Sequence, residues 1–85
     1  MQNEPLVSVI IPTYNRRNTI LASVNSVLNQ TYKNIELIVV DDCSTDDTIS
    51  ILEQINDKRL KIIRHSENKG QNAARNTGIK ASTGE

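Results

Sequence analysis

The stretch IELIVV, residues 35–40, runs without a break into Asp41 and Asp42. A near-continuous apolar run of this length suits a strand covered on both faces, which is the situation inside a parallel sheet. Its last residues are adjacent carboxylates, followed by the short polar residues Ser44 and Thr45. A strand that is greasy on both faces and then stops on two acids demands a partner for those acids, and the rest of the chain has to supply it or leave room for it.

The flanking patterns fit the same sheet. Val7 to Pro12, VSVIIP, is a short β-branched run closed by a proline that cannot donate to a ladder. Asn18 to Asn29 places Ile20, Leu21, Val24, Val27 and Leu28 on one helical stripe, with Asn18 as its N-cap. Thr31 to Asn34 reads as a turn, and Ile35 to Asp41 as the second strand. Ser44 is the expected N-cap of a second helix reaching about Asn56, with Asp46 and Asp47 complementing its dipole and Ile49, Leu52 and Ile55 facing inward. Leu60 to His65 is the third strand, Ser66 to Gly70 a polar loop, and Gln71 to Ser82 a third helix. Its inner face, Ala73, Ala74, Thr77, Gly78 and Ala81, is made of small residues that bury little area. The small face serves either close packing on the sheet or close approach to a ligand. β-α-β-α-β-α alternation predicts a three-layer, Rossmann-like α/β fold with a parallel sheet of order 3-2-1 and right-handed crossovers.

An 85-residue chain makes one small domain that buries only about two-thirds of its unfolded surface. Its ten basic and ten acidic side chains cancel, so nothing in its charge points to nucleic acid. No apolar run nears the roughly 20 residues of a membrane span, and residues 1–5 lack the pattern of a signal peptide. Cys43 is the single cysteine, which excludes an internal disulfide framework. These features predict a cytoplasmic protein. ASTGE, residues 81–85, reads as a helix end with Gly84 as C-cap glycine. An α/β chain would next enter another strand, so the chain is expected to be one truncated domain of a longer protein.

In a parallel sheet all strand C-termini share one rim, and ligands bind outside it. After strand one come Pro12, Thr13, Tyr14, Asn15 and Arg16; after strand two, Asp41 and Asp42; after strand three, His65, Asn68, Lys69 and Gly70. This set of a flat ring, carboxylates, amides and cations suits a ligand with a base, hydroxyls and phosphates. Asp41 and Asp42 point to opposite sides if the extended pattern persists, so one can hold the turn's N–H groups while the other receives a ligand N–H or hydroxyl. Tyr14 can pack or stack on a base. Arg75 is either a solvated helix charge or a planar fork for a diphosphate. His65 has no catalytic partner in sequence and reads as non-functional, and Cys43 as a turn residue.

The loop after strand one contains no glycine, which argues against a dinucleotide-binding G-x-G-x-x-G turn. A phosphoacceptor receiver domain also ends a strand on Asp-Asp, but there the pair lies on the first strand and the phosphorylated Asp ends the third, where this chain has His65 and Ser66. A small non-catalytic binding or interaction module is the remaining alternative.

VSVIIPTYNR, Ser26, QTYKNIELIVVDDCSTD and ENKGQNAARNTGIKASTGE together closely resemble the N-terminal half of the family 2 glycosyltransferases, from about Leu6 to Glu85. The resemblance implies the nucleotide-binding half of a GT-A fold and an inverting enzyme of polysaccharide or cell-wall biosynthesis. It also implies a nucleotide-diphosphate-sugar donor, commonly UDP- or dTDP-linked, and a sugar or lipid-linked acceptor. Carried over, Pro12, Thr13, Tyr14 and Asn15 line the nucleoside pocket. Asp42 accepts from the pyrimidine N3–H, Asp41 supports it, and Asn68, Gly70, Arg75 and Asn76 border base and diphosphate. Cys43 stands where the family often has glycine, so a positive φ there would carry strain. The divalent metal (Mg or Mn) and the catalytic base are expected beyond residue 85, which would leave this chain inactive alone and its parent peripheral to the membrane. Strand one, lacking a neighbour on one side, is expected to promote self-association.

Overall fold

A computed structural model of the chain describes residues 5–30 and 32–83. The elements are β1 (Val7–Thr13), α1 (Ile20–Leu28), β2 (Ile35–Asp41), α2 (Thr48–Glu53), β3 (Leu60–Arg64) and α3 (Gln71–Ala81). The sheet is parallel, in the order β1-β2-β3, which is the expected 3-2-1 arrangement.

β2 is the centre, buried at every residue. Successive side chains alternate between faces. Ile35, Leu37 and Val39 meet Ile20, Val24 and Leu28 of α1 and Leu52 of α2 in one core. Ile38 and Val40 meet Ala74 of α3 on the other face, with Ile10 and Ile63 beside them. The apolar run is therefore doubly covered, and the two helix layers differ: α1 and α2 bring large side chains, α3 small ones. Gly78 shows why. A Cβ built there would lie 2.5 Å from Ile10 Cγ2, so α3 rests on β1 at a distance only glycine permits.

β1 is an edge. Val7 N–H donates to Asn34 and Thr13 C=O accepts from Asp42, so the odd residues face β2 and Pro12 turns its missing N–H outward. Proline thus costs the ladder nothing, and it removes one of the outward donors that pairing with a second chain would use.

Several boundaries differ from expectation. Asn18 is not the N-cap of α1; Arg16 C=O accepts from both Thr19 and Ile20, and this preceding turn delays the helix to Ile20. Leu21 is 46 % exposed, outside the buried stripe. Ser44 does not cap α2, because its hydroxyl is committed to Asp41 and Asn15. Asp46 instead accepts from Thr48 N–H at 2.9 Å, which starts the helix at Thr48 and leaves it ending at Glu53 rather than Asn56. β3 stops at Arg64 and α3 at Ala81, each one residue short of expectation. The expected C-cap Gly84 and the first residue of the 31–34 turn lie outside the described residues.

Candidate functional site

The two acids that end β2 do take opposite sides. Asp41 is fully buried and faces α2. Its carboxylate accepts from Ser44 N–H at 2.8 Å and from the Ser44 hydroxyl, and Arg64 Nε approaches to 3.7 Å. Arg64 also donates to Ser44 C=O at 3.1 Å. Ser44 Oγ in turn accepts from Asn15 N–H at 2.8 Å, while Asn15 Oδ1 accepts from Thr45 N–H at 2.8 Å. Asn15 adopts φ 51°, a left-handed conformation that asparagine tolerates better than most residues. Asp41, Ser44 and Asn15 form a latch between the loops after β1 and β2.

Asp42 faces α3 and is 4 % exposed. Oδ1 accepts from Lys69 N–H at 2.8 Å and lies 2.9 Å from His65 Nδ1. Oδ2 accepts from Gly70 N–H at 2.8 Å. The Lys69 amide foremost, then the His65 ring and the Gly70 amide, hold the carboxyl below the usual Asp range even though burial pushes the other way. Asp42 is thus ionised at neutral pH. A carboxylate offers about four acceptor positions, two per oxygen. Two are filled on Oδ1 and one on Oδ2, so one position on Oδ2 remains open.

Asp42 lines a cleft of about 430 Å³ together with Pro12, Thr13, Tyr14, Asn15, Arg16, Asn68, Gly70, Gln71 and Ala74, within the size range of small-ligand sites. Tyr14 is 40 % exposed beside it, a ring free to stack. Gly70 has φ 96°, which lets the loop turn its amide onto Asp42 and start α3 in one step. Among the described residues, Thr13 Oγ1 is a buried side-chain polar atom without a partner.

Seven of the ten expected site residues line this cleft. Asp41 lies behind it in the latch. Arg75 and Asn76 are exposed on α3 and are not among the lining residues. Arg16, placed on the rim by its position after strand one, also lines it, and Gln71 and Ala74 join from α3. Sequence reasoning also passed over His65, which is buried against Asp42 and Thr77; the signal available was its place at a strand end on the ligand rim. Cys43 has φ 63°, the strained conformation its sequence position warned of, with its thiol 3.7 Å from Ser66 C=O. Among the described residues no group of three or more His, Cys, Asp or Glu could hold a metal ion.

Comparison with known proteins bears on this cleft. A family model described as Glycosyl transferase family 2 matches residues 8–85. An Escherichia coli protein named UDP-Glc:alpha-D-GlcNAc-diphosphoundecaprenol beta-1,3-glucosyltransferase WfaP is 51% identical over 79 residues, 93% of this chain and 32% of that protein. The chain therefore spans about a third of that relative's length. The mannosyltransferase PcManGT from Pyrobaculum calidifontis, solved with GDP-Man and Mn2+, superposes at TM-score 0.87 with 35% identity over 98% of this chain and 26% of its own. S. aureus TarS 1-349, solved with UDP-GlcNAc, superposes at 0.81 with 37% identity over 96% of this chain and 24% of its own.

Proposed function

The chain belongs to glycosyl transferase family 2, and from that premise we propose that its cleft holds the nucleoside end of a nucleotide-diphosphate-sugar donor in an inverting glycosyltransferase. In that reaction an acceptor hydroxyl attacks the anomeric carbon, the bond from sugar to phosphate oxygen breaks, and the nucleoside diphosphate leaves.

The observation that carries the reading is the open acceptor position on Asp42 Oδ2. It suits a base with one N–H flanked by carbonyls, as in uracil or thymine. Guanine presents two adjacent N–H donors to a carboxylate and would need a position on each oxygen, yet Oδ1 is already filled by His65 and the Lys69 amide. Tyr14 supplies a face for stacking, worth about 1–3 kcal/mol per base. The two liganded neighbours carry a guanine and a uracil nucleotide respectively; the filled Oδ1 supports the uracil kind of base for this chain.

The Mn2+ in the mannosyltransferase complex supports a divalent cation, Mg or Mn, on the donor diphosphate. When bound it would offset charge on the leaving group. Its ligands and the general base are assigned in this reading to parts of the protein outside this chain. The acceptor class in the Escherichia coli relative's name supports a lipid-linked sugar acceptor, and with it we propose a cytoplasmic parent peripheral to the membrane.

Calorimetric titration of the full-length protein with UDP-glucose, dTDP-glucose, GDP-mannose and NAD tests the base assignment. A uracil or thymine donor is expected to bind at least about tenfold more tightly than GDP-mannose, the effect of one buried hydrogen-bonding mismatch. Equal binding of GDP-mannose would refute it. The 85-residue chain alone is expected to show no transfer and no donor hydrolysis; reproducible turnover would refute the placement of metal and base elsewhere.

A further inference from the structure

His65 is the single histidine of the chain and is 8 % exposed, directly behind the cleft. Its backbone N–H donates to Asp41 C=O at 2.8 Å, fixing it against β2. Nδ1 lies 2.9 Å from Asp42 Oδ1 and Nε2 2.8 Å from Thr77 Oγ1. Thr77 Oγ1 is also 3.0 Å from Ala73 C=O.

Counting protons limits the ring to two states. A hydroxyl has one proton. If Thr77 gives it to Ala73, Nε2 must donate and the ring is a cation. If Thr77 gives it to Nε2, the ring is neutral with its proton on Nδ1. In both states Nδ1–H donates to Asp42; a neutral ring protonated only on Nε2 would aim a lone pair at the carboxylate. The ring therefore keeps one contact with Asp42 through a change of charge, and Thr77 absorbs the difference by turning its hydroxyl.

We propose that His65 is a positioning residue for base recognition: its Nδ1–H holds Asp42 so that Oδ2 keeps an acceptor position for the base N–H. This rests on the reading of the cleft given above.

The surrounding charges leave Asp42 as the group that couples to the ring. On β2, Asp41 turns to Ser44 and Arg64. On β3, the Arg64 guanidinium is directed to Asp41 and Ser44. In the following loop, Glu67 and Lys69 are exposed, and the Cys43 thiol meets Ser66 C=O. On α3, the ring meets the Thr77 hydroxyl, while Arg75 is exposed.

The test is calorimetry on the full-length protein with UDP-glucose at neutral pH. His65→Asn keeps an N–H donor near the Nδ1 position and is expected to bind within about threefold of wild type. His65→Leu removes the donor and is expected to weaken binding at least about tenfold, as loss of a charge-assisted hydrogen bond does. Leucine binding like wild type, or asparagine binding as weakly as leucine, would overturn the proposal. Should His65→Leu fail to fold, imidazole nitrogen NMR of the wild type decides: the ring should carry a proton on Nδ1, and its nitrogen resonances should move on adding UDP-glucose. A ring indifferent to UDP-glucose would overturn the proposal. Asp42→Ala separates the two readings. If it binds UDP-glucose normally, the base assignment fails; if it binds weakly while His65→Leu does not, only the role of His65 fails.

Discussion

Two buried carboxylates lie at opposite ends of one strand, on the same side of the sheet, and the chain uses them differently. Glu36, near the start of β2, is 5 % exposed. It accepts from the Ser8 hydroxyl at 2.6 Å, from Lys61 Nζ at 2.8 Å and from Thr83 N–H at 2.6 Å. These bonds tie both outer strands and the segment after α3 to the centre of the sheet. Asp42, just past the strand's other end, is held as firmly by His65, Lys69 and Gly70 but keeps one acceptor position spare and lines a cleft. Burial and ionisation are common to both. Spare acceptor capacity beside a cavity is what separates a carboxylate equipped to bind a ligand, the role proposed for Asp42, from one that fastens a fold.

The strongest way to break the contrast is to remove each acid in turn. Asp42→Ala should weaken UDP-glucose binding by about 1.5–3 kcal/mol, the worth of a buried charge-assisted hydrogen bond, or roughly 10- to 150-fold in Kd. Glu36→Gln should instead lower Tm, by more than about 5 °C for a domain this small, and leave the affinity of the folded molecules unchanged. Calorimetry and thermal melts on both variants read the two axes independently. If Glu36→Gln weakens donor binding as much as Asp42→Ala does, the division of labour is wrong.

Gly78 sharpens the contrast because α3 spans the face that both acids share. Alanine gains about 1 kcal/mol of helix propensity over glycine. Its Cβ, however, would stand 2.5 Å from Ile10 Cγ2, and Ile10 is a branched side chain packed in the core. Overpacking costs about 1–3 kcal/mol, so Gly78→Ala should be a net destabilisation in urea unfolding. A stabilised variant would show that α3 can lift off the sheet freely.

Acid should blur the contrast. The Lys61 ammonium foremost, with Ser8 and Thr83, holds the Glu36 carboxyl below its ordinary 4.5, and the Lys69 amide foremost holds Asp42 below its ordinary 3.8. A carboxyl with a depressed folded value contributes stability above its unfolded value and loses it as pH falls through the folded one. Stability should therefore be flat through the ordinary carboxylate range from above and decline below about pH 4. Glu36→Gln should shallow that decline, and urea midpoints at pH 7, 4 and 3 measure it.

Much of this was legible in the sequence, for reasons that are local. IELIVV fixes a doubly covered strand because its alternate residues are apolar on both faces, and the same alternation sends Asp41 and Asp42 to opposite sides. Tyr14, Asp42, Asn68 and Gly70 share a cleft because parallel strands put their ends on one rim. What escaped depends on partners distant in the chain. Glu36 vanishes within an apolar run, and its meaning comes from Ser8, Lys61 and Thr83. His65 has no neighbour in sequence that marks it, and acquires its role from Asp42 and Thr77. Ser44 looks like a cap because caps are read from the residues that follow, whereas Asp41 behind it and Asn15 across the loop claim its hydroxyl. Arg75 sits next to the lining residue Ala74, but successive residues on a helix diverge by about 100°, which turns it out to solvent.

The smallest effect lies at Thr13, whose buried hydroxyl has no partner among the described residues. In β1, Val7, Val9 and Ile11 face the α1 and α2 core, and alternation puts the Thr13 side chain on that same side, next to Asp41, its register partner. There an unpaired hydroxyl is a cost, and Thr13→Val keeps the shape while removing it. The variant should gain about 1 kcal/mol in urea unfolding, the penalty of leaving a buried polar group unsatisfied. A different result is equally informative. If Thr13→Val loses stability nowhere but weakens UDP-glucose binding, the hydroxyl belongs to the cleft, and the ligand ends of β1 and β2 recognise the base with two groups, one donor and one acceptor.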